Sequence, residues 1–131
     1  MTTVLDASAL LAHLLDEAGG DLVGAALHRG ARMSSVNWSE VLAKTSDLGS
    51  DPRALTDDLR ARGLFSTLEI VAFDAADAVL SAELRAPTRQ ADLSFGDRAC
   101  LSLGIRLGLP VMTADRTWRA VRTDAEVVAI R

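Results

Sequence analysis

The chain has 131 residues, of which 49% are apolar and 24% charged, with 18 acidic against 14 basic side chains and a net charge of −4. This is the size expected of one domain of roughly 100–200 residues, and the apolar share excludes wholesale disorder. The acidic balance argues against a protein that coats DNA with positive charge, because phosphate neutralisation supplies much of that affinity. It leaves open nucleic acid as a substrate: every basic residue except Lys44 is arginine, whose planar fork suits bidentate phosphate contacts. A GC-rich coding sequence would write the same bias.

Val4-Leu5 ends a short strand, and Ala7 to Glu17 carries Leu10, Leu11, Leu14 and Leu15 at helical spacing before Gly19-Gly20 stops it. A helix over Leu22 to Arg29, a strand over Arg32 to Val36 and a helix over Trp38 to Asp47 follow. Asp51 and Pro52 stand as N-cap and first residue of the next helix, closed by Gly63. Leu68 to Phe73 reads as a strand, Asp74 to Arg85 as a helix, Ala86 to Leu93 as a loop, and Ser94 to Leu107 as a helix. Strands over Pro110 to Thr113 and Glu126 to Ile130 complete the chain. Alternation of this kind predicts an α/β fold with a central, mainly parallel sheet and helices on both faces, organised as one domain over 1–131.

The single cysteine, Cys100, has no internal disulfide partner, and no basic start followed by an apolar run precedes the first strand. A reducing, cytoplasmic setting is therefore expected. The apolar run from Ala7 to Leu15 is broken by His13 and bounded by Asp6 and Asp16, far short of the ~20 residues of a membrane span.

In an open parallel sheet, ligands bind beyond the carboxyl ends of the strands. Asp6 follows the first strand directly, and Asp115 follows the Pro110 to Thr113 strand by two residues. Glu40 and Asp97 fall in the first turns of helices that begin at that same edge. Four carboxylates gathered there would repel one another and be desolvated, which a hard divalent cation resolves. Oxygen-only ligands favour Mg²⁺ or Mn²⁺ over zinc.

Each acid also has a purely structural reading. Glu40 is three residues after Asn37 and four before Lys44, and Asp97 is three after Ser94, so both have capping-box spacing. Asp6 could cap its helix, and Asp115 could belong to a turn. The joint pattern favours a site: Asp97 heads a column through Leu101 and Ile105, whereas the neighbouring column, Arg98, Ser102 and Arg106, reads as solvated. Asp57, Asp58, Asp77 and Glu83 read as surface; Asp92 remains a candidate at the edge. Trp38 and Trp118 read as core or as a groove for a partner.

The segments Val4-Leu5-Asp6-Ala7-Ser8-Ala9-Leu10-Leu11, Ser35-Val36-Asn37-Trp38-Ser39-Glu40-Val41, Leu93-Ser94-Phe95-Gly96-Asp97-Arg98-Ala99-Cys100-Leu101 and Thr113-Ala114-Asp115-Arg116-Thr117-Trp118 resemble, in order and spacing, a PIN-domain ribonuclease, in particular the VapC-type toxin of bacterial VapBC toxin–antitoxin pairs. The resemblance implies a PIN-like three-layer α/β/α fold and a Mg²⁺- or Mn²⁺-dependent endoribonuclease in the bacterial cytoplasm. It further implies neutralisation by a VapB-type antitoxin, and a homodimer. It places the family's acidic quartet, catalytic and metal-holding, on Asp6, Glu40, Asp97 and Asp115, its small hydroxyls on Ser8 and Thr113, and its asparagine on Asn37. Arg98 and Arg116, each beside one of these acids, are candidate phosphate contacts. Many PIN domains carry a further acid or amide two residues after the last aspartate; here that position is Thr117.

Other classes fit less well. A receiver domain wants an acidic pair after its first strand and a lysine at a late strand end, and an aspartate-nucleophile phosphatase wants an acid at position 8, which is Ser8. The alternative to a nuclease is a PIN-like module that binds RNA or protein without cutting.

Overall fold

In β1 (Thr3–Leu5), Val4 and Leu5 are both fully buried and enter two different apolar clusters, because successive strand side chains point to opposite faces. The structure, a computed structural model, describes residues 2–121 and 123–131. Its remaining elements are α1 (Ala7–Leu14), α2 (Gly20–Arg29), β2 (Ala31–Ser34), α3 (Ser35–Asp47), α4 (Pro52–Ala61), α5 (Leu64–Thr67), β3 (Leu68–Val71), α6 (Ala75–Glu83), α7 (Phe95–Leu107), β4 (Val111–Thr113) and β5 (Val127–Ala129). Short 3₁₀ turns cover Arg89–Ala91 and Arg116–Ala120.

All strand pairs are parallel, in the order β3-β2-β1-β4-β5. On one face, Leu5, Met33 and Met112 meet Ala9 and Leu10 of α1, Val23 and Leu27 of α2, and Val41 of α3. On the other, Val4 and Val111 meet Cys100, Leu101 and Leu103 of α7, Leu84 after α6, and Trp118. This is the expected three-layer α/β/α arrangement. The chain runs outward from β1 through β2 to β3, then returns to place β4 on the other side of β1. The crevice beyond β1 and β4 is thus the point where the strand order reverses, where open α/β sheets bind ligands.

Several helix boundaries follow from their caps. Asp51 accepts from Ala54 N with Pro52 at the first helical position, and Asp74 and Asp77 form a capping box at α6. Gly108 ends α7 in the left-handed conformation at φ 65.

The structure differs from the sequence reading in four places. First, β2 stops at Ser34, which caps α3, so that helix begins at Ser35 and Asn37 lies inside it. Second, α1 ends at Leu14 instead of reaching Glu17, and the unpredicted α5 and 3₁₀ turns are segments of five residues or fewer, too brief for a periodic signal. Third, the Arg98, Ser102 and Arg106 column faces α6: Ser102 is fully buried, Arg98 Nη1 donates to Ser81 O at 3.0 Å, and Arg106 makes a two-pronged pair with Asp77 at 2.8 and 3.2 Å. Fourth, Asp77 is therefore buried, while Asp57, Asp58 and Glu83 are on the surface. Trp118 is core; Trp38 is half-buried, edge-on to Phe65. Among the described residues, no helix is long and apolar enough to cross a membrane.

Candidate active site

Asp6 leaves β1 and caps α1: its Oδ1 accepts from Ala9 N at 2.8 Å and from Ser8 Oγ at 2.8 Å. Its Oδ2 accepts from Thr113 Oγ1 at 2.6 Å. The two hydroxyls are set by the end of β4, because Ala114 N donates to Ser8 Oγ and Asp115 N donates to Thr113 Oγ1. Burial pushes the Asp6 carboxyl from an ordinary 3.8 up to about 6, against the lowering effect of the hydrogen bonds from Thr113, Ala9 and Ser8. Asp6 thus acts as a cap and, in addition, is held at 5% exposure in a place that disfavours its charge.

Asp115 is exposed and opens the 3₁₀ turn that follows β4. Its Oδ1 accepts from Thr117 N at 2.9 Å and Thr117 Oγ1 at 2.7 Å. Thr117 therefore aims the aspartate. Trp118, next in the turn, is fully buried and anchors the segment to the core.

The other two acids come from the first turn of α7, which carries Asp97, and from the second turn of α3, where the earlier helix start at Ser35 puts Glu40 instead of in the expected first turn. Ser94 and Asp97 form the predicted capping box, with Asp97 Oδ2 accepting from Ser94 N at 2.9 Å. Burial raises the Asp97 pKa and the Asp115 charge adds to the rise, while the Ser94 hydrogen bonds and Arg98 oppose it. Asn37 has a different role from the cap that its spacing suggests: from inside α3 its Nδ2 donates both to Glu40 Oε1 at 2.8 Å and to Gly96 O at 2.9 Å. Among the described residues, Glu40 forms no ion pair with Lys44. Cys100 lies beneath the acids. Burial pushes its thiol well above its ordinary pKa, and the charges of Asp6, Asp97 and Glu40 add to this, so it stays protonated and unreactive.

An open cleft of about 450 Å³ brings together Asp6, Ser8, Glu40, Asp97 and Asp115. Lys44 and Asp47, which sequence reasoning did not assign to the site, also line it. Their signal was available, since they follow Glu40 by four and seven residues on one helical face. Gly96 was missed as well; a glycine inside a helix costs about 1 kcal/mol relative to alanine and so flags a close approach. Asp92 lies away from the cleft, beside Arg85 and Arg89. Arg98 is turned to α6 with its guanidinium 5.9 Å from the Phe95 ring centre, and Arg116 Nε donates to Arg131 O at 2.7 Å.

The donor set suits a hard cation. Within the described residues, Glu40 Oε2, Asp97 Oδ1 and Asp115 Oδ2 accept no hydrogen bond, and the buried Asn37 Oδ1 has no partner. No three acids among them stand close enough to ligate one ion directly.

The sequence profile of the PIN domain family matches residues 3–124, and the chain belongs to this family. Its structure resembles a chain of the DNA-bound VapBC from Salmonella typhimurium (TM-score 0.73, 16% identity, 100% of this chain and 99% of that one). It also resembles a chain of VapBC2 from Rickettsia felis bound to a promoter DNA fragment (0.72, 17%, 98% and 98%). A third likeness is to VapC20 of Mycobacterium tuberculosis, a sarcin–ricin-loop-cleaving toxin (0.68, 11%, 95% and 98%). At these identities the shared property is the fold. No curated protein matches the chain by sequence.

Proposed function

We propose that this chain is a VapC-type toxin, a Mg²⁺- or Mn²⁺-dependent endoribonuclease that hydrolyses RNA phosphodiester bonds and is neutralised by a VapB-type antitoxin. The observation that carries this reading is the convergence of Asp6, Glu40, Asp97 and Asp115 on one open cleft at the point where strand order reverses. Desolvation of Asp6 and Asp97 supports it, since ionising both in one cleft is unfavourable without a cation. Resemblance over nearly the full length of chains from VapBC complexes supports the toxin assignment and a VapB-type antitoxin partner.

Asp6, Asp97 and Asp115 would hold the ion, directly or through water; of the two roles open to Glu40, completing the shell or orienting the attacking water, its one free oxygen suits the second. When bound, the divalent cation neutralises charge developing on the phosphoryl group. Ser8 and Thr113 lock the Asp6 carboxylate in one orientation from both sides, and Thr117 does the same for Asp115. Glu40, held at Oε1 by Asn37, presents Oε2 to accept a hydrogen bond from the attacking water and orient it in line with the leaving oxygen. Arg116, exposed and next to Asp115, meets substrate phosphate through its Nη groups. The turn of Arg98 toward α6 suits it less to that task.

One observation favours a PIN-like module that binds RNA or protein without cutting: the lack, among the described residues, of three acids at direct ligating distance. A buried Asp6 and a partly buried Asp97, both disfavoured as charges, weigh against it, because a binding module has no use for them. Controlled expression in a bacterial host separates the two. The wild-type chain should arrest growth and generate new RNA ends, whose sequencing names the target, and the antitoxin encoded beside it should relieve the arrest. Asp6→Asn should do neither. Harmless expression of the folded wild-type chain would count against the toxin reading.

A further inference from the structure

Helix α7 opens with its Ser94 cap, then Phe95, Gly96 and Asp97. Gly96 is buried and helical, so its backbone conformation makes no demand for glycine. The demand is spatial: a Cβ at position 96 would overlap the Glu40 carboxylate, meeting Cδ and both oxygens. Asn37 holds the two together. Its single Nδ2 reaches Glu40 Oε1 at 2.8 Å and Gly96 O at 2.9 Å, spending both N–H groups on this bridge while its buried Oδ1 goes without a partner. An asparagine kept in that condition is held for the bridge rather than for its own satisfaction.

We propose that Gly96 is a positioning residue for the reaction, forming with Asn37 a latch that seats the Glu40 carboxylate against the first turn of α7, one residue from Asp97. The inference rests on the nuclease reading for its functional consequence, while the latch itself is a statement about packing. Glu40 is an exposed side chain on a flexible stem, so a methyl group at position 96 pushes the carboxylate aside and leaves both helices in place. The fold survives and the site does not. Since displacement by about 1 Å can lower a rate roughly 100-fold, the effect falls on catalysis.

The test compares wild type, Gly96→Ala, Glu40→Ala and the double variant in Mn²⁺-dependent cleavage of a single-stranded RNA and in thermal unfolding without metal. Gly96→Ala alone should lower kcat/KM about 100-fold. In the Glu40→Ala background the same change should alter kcat/KM by less than about twofold, because the group that it displaces is absent. The Tm should rise when Gly96→Ala is added to Glu40→Ala, through the lower entropy of the unfolded chain, and should rise less, or fall, in the wild type. Full activity of Gly96→Ala, or an equal loss in both backgrounds, overturns the positioning role. An equal Tm change in both backgrounds overturns the latch. If the wild type cleaves no RNA, the nuclease reading fails while the Tm comparison still decides the latch. If Gly96→Ala does not fold, the double variant should, and its failure to fold would also refute the latch.

Discussion

Thr113 Oγ1 donates to Asp6 Oδ2 at 2.6 Å, joining the ends of β4 and β1 across 107 positions of sequence. The same oxygen accepts from Asp115 N at 3.0 Å, so one hydroxyl sets two of the four acids at once. Thr113 is fully buried, and Thr113→Val keeps its shape while leaving Asp6 Oδ2 and Asp115 N unpaired. A loss of about 2 kcal/mol of stability is expected, read as a lower urea midpoint with an unchanged slope, and Thr113→Ser should recover most of it. A midpoint equal to wild type would show that the hydroxyl does not hold the pair.

Asp6 makes stability depend on pH in a definite direction. Its folded pKa of about 6 lies above the ordinary 3.8, so the folded protein binds this proton more tightly than the unfolded chain does. The stability so gained is fully present below about pH 3.8 and is lost as pH rises through about 6. Relative to Asp6→Asn, the metal-free wild type should therefore lose on the order of 1.4 kcal/mol between about pH 5 and pH 7.5. Cation binding requires ionised carboxylates, so Mn²⁺ should raise the wild-type Tm more at about pH 7.5 than at pH 5. A Tm unmoved by about millimolar Mn²⁺ at both pH values would favour the non-cutting module.

Arg106 and Asp77 tie α7 to α6 well away from the cleft. Arg106→Ala leaves the buried Asp77 carboxylate without its countercharge and should lower stability by roughly 3 kcal/mol, the low end for a broken buried pair because Arg106 is partly exposed. Denaturant unfolding reads the loss. Cleavage should be unchanged at temperatures where the variant is folded.

The same pair shows what local pattern can and cannot reveal. Asp51, Ser94 and Asp97 were readable as caps because a cap is formed within three residues. Asp6, Asp97 and Asp115 were readable as a cluster because each sits at a strand end or in a first helical turn, and topology brings those ends to one edge; Glu40, expected in a first turn, joins them from the second turn of α3. The Arg98, Ser102 and Arg106 column read as solvated because its charged residues gave no sign of a buried partner 29 positions away. Asn37 read as a cap because its other partner, Gly96 O, lies 59 positions on, and because the strand before it ends at Ser34, two residues short of the expected Val36. Short-range hydrogen bonds and strand ends were legible; contacts that exist only after α7 has packed against α3 and α6 were not.

Whether the four-carboxylate cleft cuts RNA with a divalent cation is decided by cleavage of single-stranded RNA by purified wild type and Asp97→Asn, each with Mn²⁺ and with excess EDTA. Asp97 shapes the cleft from the first turn of α7, and asparagine retains an oxygen to accept from Ser94 N. The variant should therefore unfold within a few degrees of wild type, consistent with a loss of ~1 kcal/mol or less. Wild type should cleave with Mn²⁺ alone, and neither Asp97→Asn nor any reaction in EDTA should yield product. Undiminished cleavage by Asp97→Asn, or cleavage that persists in EDTA, would contradict metal-dependent cutting at this cleft.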